Sequence, residues 1–284
     1  MATAIQREFL GDVDDFLQEQ VTAVEDVRSL LDQHLSRLAP LERSVLFWLA
    51  INREPVGLDE LMEDLLPPVT KQEVRGALRG LSDRYLIETL GKQFTLQNVI
   101  MEFATDRFVE RVCKELRSQQ LNLFHSHALI KATAKDYVRE TEVRLILKPV
   151  GLSIGDLDIQ VDKSLKGIRQ YSHLLEGYAA GNLLNLLCIF RQEVLDFDFS
   201  NLVLRQAYLA GKQLHSLNLA HTTFVHSSFT HLFGRILSVA LHPNGNLMTA
   251  GDSKGQARIW DVKEPQRFAI LKGHTDLVQR FSYW

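Results

Sequence analysis

Residues 194–229 read VLDFDFSNLVLRQAYLAGKQLHSLNLAHTTFVHSSF, and in them Val194, Phe199, Leu204, Leu209, Leu214, Leu219, Phe224 and Phe229 recur at strict intervals of five. A period of five is neither the 3.6 of a helix nor the 2 of a strand. A square-sectioned β-helix satisfies it: each pentad forms one side, its apolar residue points to the axis, and the next pentad turns the corner. Solenoid cores are shared between neighbouring units, so so short a piece needs something stacked on each end.

Downstream the pattern changes. Arg235 to Leu241 alternates, Pro243-Asn244-Gly245-Asn246 reads as a turn, and Leu247 to Gly251 is short and apolar. After a second turn, Asp252-Ser253-Lys254-Gly255, come Gln256 to Val262 with Trp260-Asp261, then Arg267 to Leu271 before Gly273-His274. Four short strands ending in Trp-Asp and then Gly-His match one propeller blade.

Upstream the chain reads as helices. Thr22-Ala23-Val24-Glu25 has capping-box spacing and opens a stripe of Val24, Val27, Leu30, Leu31, Leu35 and Leu38. Pro40 suits the first turn of the next helix, with Leu41, Val45, Trp48 and Leu49 on one face. Leu58 to Leu66 follows, stopped by Pro67-Pro68, and Thr70-Lys71-Gln72-Glu73 caps a helix through Val74, Leu78 and Leu81. Tyr85 to Leu90 and Gln93 to Leu96 flank Gly91-Lys92 as two strands around a tight turn. Three helices and a hairpin in this order predict a winged helix. Met101, Ala104, Phe108, Val112 and Leu116 mark a further helix, and Leu121 to Val138 a less regular one. Residues 151–181 read as a connection with one more helix.

The expected fold is therefore multidomain, mainly α in its N-terminal half (helices plus winged helix) and then mainly β. Its divisions are a helical tail over 1–38, a winged helix over 39–100, a helical connection over 101–182, a pentapeptide-repeat-like coil over 183–233, and a WD-type blade with an incomplete second over 234–284.

The 284 residues carry 32 Lys+Arg against 35 Asp+Glu, a formal charge of −3 that gives no case for a dominant polyanion partner. The charge is uneven. Residues 1–36 hold eight acidic side chains against Arg7 and Arg28, whereas 101–150 hold nine basic against seven acidic, a pattern of segments facing each other or different partners. Cys113 and Cys188 are too few for a disulfide framework or a four-Cys zinc site. With no signal-peptide plan at Met1 and no apolar run near 18 residues, a soluble cytoplasmic protein is expected.

Three features invite a site. Gly151-Leu152-Ser153-Ile154-Gly155 fits the G-x-S-x-G nucleophile elbow, but no βαβ alternation surrounds it and a loop between helices is the preferred reading. His125 with His127, and His221, His226 and His231, are spaced so that their rings do not converge. They are expected as exposed histidines, with no metal site. Lys71, Arg75, Arg79 and Arg84 could make Lys71–Arg84 a recognition helix, yet residues 40–97 hold seven basic and nine acidic side chains, a poor footprint for nucleic acid.

Leu41 to Phe103, including Trp48-Leu49-Ala50-Ile51-Asn52-Arg53-Glu54-Pro55-Val56 and Phe94-Thr95-Leu96-Gln97, resembles the winged-helix region of bacterial NB-ARC signalling ATPases of the STAND class. The order that follows is similar too: Tyr178 to Leu187, the pentads, and Ile236-Leu237-Ser238-Val239-Ala240-Leu241-His242-Pro243-Asn244-Gly245, which looks like the opening of a WD-repeat propeller. The resemblance implies a nucleotide-gated switch read out through sensor repeats. ADP or ATP binding would need G-x-x-x-x-G-K-[ST], which is absent: Gly91-Lys92 and Gly211-Lys212 are each followed by Gln and lack the upstream glycine. Where relatives carry a Met-His-Asp motif against the ADP phosphate, this chain has Leu96-Gln97-Asn98. The blade offers Trp260 and Thr249 for the hydrogen-bonded network of a WD repeat, but Lys254 stands at the turn position usually held by Asp. The expectation is a truncated, non-enzymatic signalling scaffold without catalytic, cofactor or metal residues. It would act on protein partners through its repeats, with the missing ATPase or propeller possible on another chain. Neither nucleic acid nor a membrane is expected as a partner, and a winged-helix DNA-binding regulator is the alternative.

Overall fold

A computed structural model of the chain describes residues 28–171, 174–191, 196–211, 217–229, 236–252, 257–263 and 268–271. The contacts divide the chain into two units, residues 1–208 with 212–227, and residues 209–211 with 228–284.

In the first unit, residues 28–36 are helical, with Leu35 and Leu38 buried and Leu30 exposed, so the apolar stripe is only partly covered. The Thr22 capping box lies outside the described residues. Helix α1 (Pro40–Asn52) opens on Pro40 and on the Glu42 carboxylate, which accepts the Ala39 N–H at 2.8 Å. From Val45 to Asn52 every residue is buried, so this helix runs through the core instead of along it. It stops where Arg53 turns left-handed, at φ 57°. Strand β1 (Val56–Gly57) and helix α2 (Leu58–Asp64) follow. Helix α3 (Lys71–Asp83) is capped reciprocally: Thr70 Oγ1 accepts the Glu73 N–H and the Glu73 carboxylate accepts the Thr70 N–H, as the spacing predicted. Its buried residues, Val74, Ala77, Leu78 and Leu81, lie on one face.

Strands β2 (Glu88–Leu90) and β3 (Gln93–Thr95) flank Gly91, whose φ of +64° suits a residue without Cβ. Both are shorter than the sequence ranges. Strand β1 joins them in the order β1-β3-β2, with Val56 opposite Phe94, a third strand that periodicity did not reveal because two residues show no alternation. Helix α4 (Asn98–Ser118) buries the expected Met101, Ala104, Phe108, Val112 and Leu116.

The expected helix over Leu121 to Val138 is corrected. Only α5 (Leu123–Ser126) is helical before α6 (Asp136–Glu142) begins, and residues 127–132 are buried without regular structure. Buried irregular backbone must find partners, and here distant side chains supply them. Asn182 Oδ1 accepts from Leu129 N–H at 2.8 Å, Glu142 Oε2 from Lys131 N–H at 2.9 Å, and Gln206 Oε1 from Ala132 N–H at 2.8 Å. The Asn182 amide also donates to the Phe124 and His127 carbonyls. A π-turn over Val143–Leu147 then leads into α7 (Lys148–Ser153), where Pro149 has no N–H for an α-helical bond to residue 145.

After α8 (Leu157–Gln170), capped by Asp156, comes α9 (Ala179–Phe190), buried at every position from Ala179 to Cys188. The boundary at 182/183 therefore moves. Residues 183–190 belong to this helix and not to the coil, and the helical connection extends past 182, because a run apolar at consecutive positions suits a helix enclosed on all sides. A Cβ on Gly181 would stand 1.9 Å from the Arg205 carbonyl oxygen, a backbone atom with little room to move. Gly181→Ala is expected to cost about 2 kcal/mol by overpacking. Thermal unfolding should show it as a fall of about 6 °C for a unit of this size; an unchanged midpoint would refute the close approach.

Past α9 the chain turns every five residues. Asp196, Asn201, Gln206, Gly211, His221 and His226 all have positive φ, between 48° and 69°. Strand β4 (Val203–Arg205) lies parallel to β5 (Thr223–Val225), Leu204 opposite Phe224, and an isolated bridge joins Asp198 to Asn218. Both offsets are twenty residues, four pentads. Phe199 and Leu204 are fully buried, Leu219 and Phe224 half-buried, and Phe229 is 54% exposed. Val194 and Leu214 lie outside the described residues.

The second unit holds β6 (Ile236–Leu241), β7 (Leu247–Asp252), β8 (Ala257–Asp261) and β9 (Phe268–Leu271) as an antiparallel meander in sequence order. The β6–β7 turn uses Gly245 at φ +71°. Three residues of the following turn, 253–255, lie outside the described residues.

Candidate interaction surface

The residues singled out for chemistry do not converge. Ser153 ends α7, so a helix and not a strand precedes it, and its Oγ donates to the Val150 carbonyl at 2.7 Å. That local bond, together with Cys113 Sγ at 2.9 Å, leaves Ser153 without a base, which is the opposite of a nucleophile elbow. The segment is also a helix end more than the loop expected. His221 and His226 are exposed, at left-handed corners; His231 lies outside the described residues.

His127 overturns its expectation. It is 1% exposed, stacked on Trp48 with ring centroids 5.2 Å apart, and held by Ser126 Oγ on Nδ1 at 2.8 Å and by Ser44 on Nε2 at 3.2 Å. Burial pushes its pKa down to about 4, so the ring is neutral. The helical spacing argument failed because His127 lies just past α5, in the buried segment. Among the described residues no group of three or more His, Cys, Asp or Glu is placed to hold a metal.

A second buried polar cluster ties the helices together. Lys131 Nζ lies 2.8 Å from Asp64 Oδ2 and donates to Asn52 Oδ1 at 2.8 Å, while the Tyr178 hydroxyl donates to the Asp64 carbonyl at 2.8 Å. Burial raises the Asp64 pKa and Lys131 opposes the shift. Glu142, fully buried, is pushed up to about 8 by the same cause. Asn52, Asp64, Lys131 and Tyr178 are sealed from solvent and bonded to one another, a structural arrangement that joins α1 and α2 to residues 127–132 and the start of α9.

On α3, Lys71 is paired with Asp59 at 2.7 Å and Arg84 with Glu42 at 3.0 Å, which leaves Arg75 and Arg79 as the exposed cations of that helix without a described ion pair. In the Leu96-Gln97-Asn98 stretch, Leu96 is buried, and Gln97 caps α4 with no side-chain bond to its backbone.

The sheet of the second unit is different: it presents apolar side chains to solvent. Register places Val239 opposite Ala250 and Leu241 opposite Met248, with Trp260 next across, all on one face. Val239 is 58% exposed, Leu241 59% and Met248 36%. Thr249 pairs with Ile259, so it points to the other face from Trp260, and the Thr249–Trp260 network expected from the WD pattern is corrected. Lys254 lies outside the described residues. No described helix is long and apolar enough to cross a membrane.

Comparison with known proteins adds to this geometry. The chain is 36% identical, over 323 residues of alignment, to the uncharacterized WD repeat-containing protein alr2800 of Nostoc sp., covering 98% of this chain and 26% of that protein. It is 31% identical over 153 residues to a second uncharacterized WD repeat-containing protein of the same organism, alr3466, covering 52% of this chain and 10% of that protein. The chain thus spans about a quarter or less of the length of these curated relatives. No family model matches it, and no solved structure does.

Proposed function

We propose that this chain is a non-catalytic, WD-repeat-containing portion of an NB-ARC-type signalling scaffold, working through protein–protein contacts. The observation that carries the proposal is the exposed face of Val239, Leu241 and Met248 on a four-stranded meander, in a chain similar to WD repeat-containing proteins along 98% of its length. Apolar side chains exposed on a sheet in water make a surface that gains by being covered. Residues 40–95 support a winged-helix assignment through their order of helices and the β1-β3-β2 sheet. The twenty-residue parallel register and five-residue turns support a pentapeptide-type coil. On this reading the winged helix is a packing module, fixed by the Lys131 cluster, and the β-rich end makes the contacts.

The test is a charged double variant, Val239→Asp with Leu241→Asp, compared with the wild-type chain in affinity purification from a cyanobacterial host. A defined set of proteins recovered with wild type and lost with the variant, at an unchanged helical thermal transition, is the expected result. Duplex DNA enriched equally by both would sink the reading and favour the DNA-binding alternative through Arg75 and Arg79.

A further inference from the structure

The first unit carries a cleft of about 570 Å³ that the interaction surface does not use, formed where the start of α1, residues 65–69, the C-terminal half of α4 and α5 meet. Its size is that of a small-molecule site. Leu41, Leu66, Val69 and Leu123 stand half-buried in its lining. Three cations border it as well, and their surroundings differ. Arg111 is balanced: Asp32 and Glu115 both act on it, and its guanidinium rests 5.7 Å from the Phe47 ring centroid. Arg43 and Lys114, among the described residues, form no ion pair. Arg43 Nη2 donates to the Leu38 carbonyl at 3.0 Å, but its Nε is buried without a hydrogen-bond partner. Lys114 is exposed, three residues along α4 from Arg111 and so on the same side of that helix. The one carboxylate in the lining, Glu115, accepts the Leu123 and Phe124 N–H groups at 2.9 and 3.0 Å. Ser44 and Ser126, which contact the neutral His127 ring, add uncharged polar groups.

This combination selects the ligand by its chemistry. A buried donor such as Arg43 Nε is costly to leave without an acceptor, so an oxygen atom is favoured beside it. An uncharged hydrocarbon would cover the leucines and leave that donor unanswered. A hydrated polyanion such as nucleic acid would meet the cations and leave the apolar lining uncovered. A metal ion would be repelled by Arg43 and Lys114 and would find both Glu115 oxygens already engaged. A single carboxylate on an apolar body answers both parts of the lining, because a guanidinium and a carboxylate form a charge-assisted hydrogen bond.

We propose that this cleft binds a small carboxylate with an apolar body, its carboxylate held at Arg43 Nε with Lys114 supplying the second positive charge, and its hydrocarbon lying against Leu41, Leu66, Val69 and Leu123. The bound molecule touches α1, residues 65–69, α4 and α5 at once, so it stabilises the first unit by mass action. High salt weakens its hold at the exposed Lys114.

Methyl NMR of the full chain, titrated with octanoate and separately with octanamide, tests this, because the two probes share a carbon skeleton and differ in charge. Octanoate is expected to shift the Leu41, Leu66, Val69 and Leu123 methyls, and octanamide to bind at least about tenfold more weakly through loss of the charge-assisted contact. Lys114→Glu, at an exposed position, should weaken octanoate by a similar factor with the thermal midpoint of the free chain unchanged, and Lys114→Arg should retain it. Cleft methyls unmoved at about 5 mM octanoate would overturn the proposal, since that concentration reveals even millimolar binding. Equal binding of the two probes, or undiminished binding by Lys114→Glu, overturns it by reducing the cleft to apolar contact. Shifts confined to Val239 and Leu241 overturn it too, by moving the carboxylate to the sheet.

Discussion

Lys131→Ala should lower the stability of the first unit by about 3–5 kcal/mol, the range for removing one partner of a buried ion pair. Three acceptors converge on this ammonium, Asp64 Oδ2 and Asn52 Oδ1 at 2.8 Å and Glu60 Oε1 at 3.4 Å, and only Glu60 is exposed. Truncation leaves Asp64 in a site where burial already works against its charge, with Asn52 Nδ2 at 3.3 Å as its remaining side-chain donor. In a unit of roughly 200 residues that loss lowers the thermal midpoint by about 10 °C. The pair itself has little net worth over apolar contact, since its desolvation offsets its attraction. Lys131→Met with Asp64→Leu is therefore expected to recover most of the loss. A single variant within 1 kcal/mol of wild type would show the cluster to be hydrated and the helices to be held otherwise.

The second large effect is in pH. His127 has a folded pKa of about 4 against 6.5 when free, so between these values the unfolded chain binds the extra proton. Its contribution to stability is whole above pH 6.5 and is lost as pH falls towards 4, a change of about 3 kcal/mol. Glu142 runs the other way. With a folded pKa of about 8 against 4.5, it is whole below pH 4.5 and loses its contribution as pH rises through 8. The two slopes oppose each other between pH 4.5 and 6.5, so wild-type stability alone conceals them. Denaturant unfolding of wild type and His127→Gln should differ by an amount that changes by about 3 kcal/mol between pH 6.5 and 4. Parallel curves for the two proteins would mean that His127 takes up a proton in the folded state.

These two residues also show what the chain made legible. The Thr70–Glu73 capping box, the α4 stripe and the five-residue period were readable because each is local and repeats at its element's own spacing. Residues 121–138 were not. Leu121, Phe124, Ala128 and Leu129 resemble a weak helical stripe, and nothing nearby announces that Asn182, Glu142 and Gln206 supply the hydrogen bonds of an unwound segment. His127 lost its expected exposure with that helix. In the blade, the strands were legible from turns and alternation, but the partner of Trp260 was not. One residue of register decides a face, and Thr249 falls on the wrong one. For the candidate surface, the WD pattern pointed to the right segment, whereas the exposure of Val239 and Leu241 needed coordinates.

The most direct test of the central claim is site-specific photo-crosslinking in cells, with the photoreactive residue at Val239 or Leu241 in one set of chains and at Arg75 or Arg79 in another. A scaffold working through its β-rich end predicts discrete protein adducts from Val239 and Leu241 and no nucleic-acid adduct from α3. DNA adducts from Arg75 and Arg79, with Val239 and Leu241 silent, would contradict it.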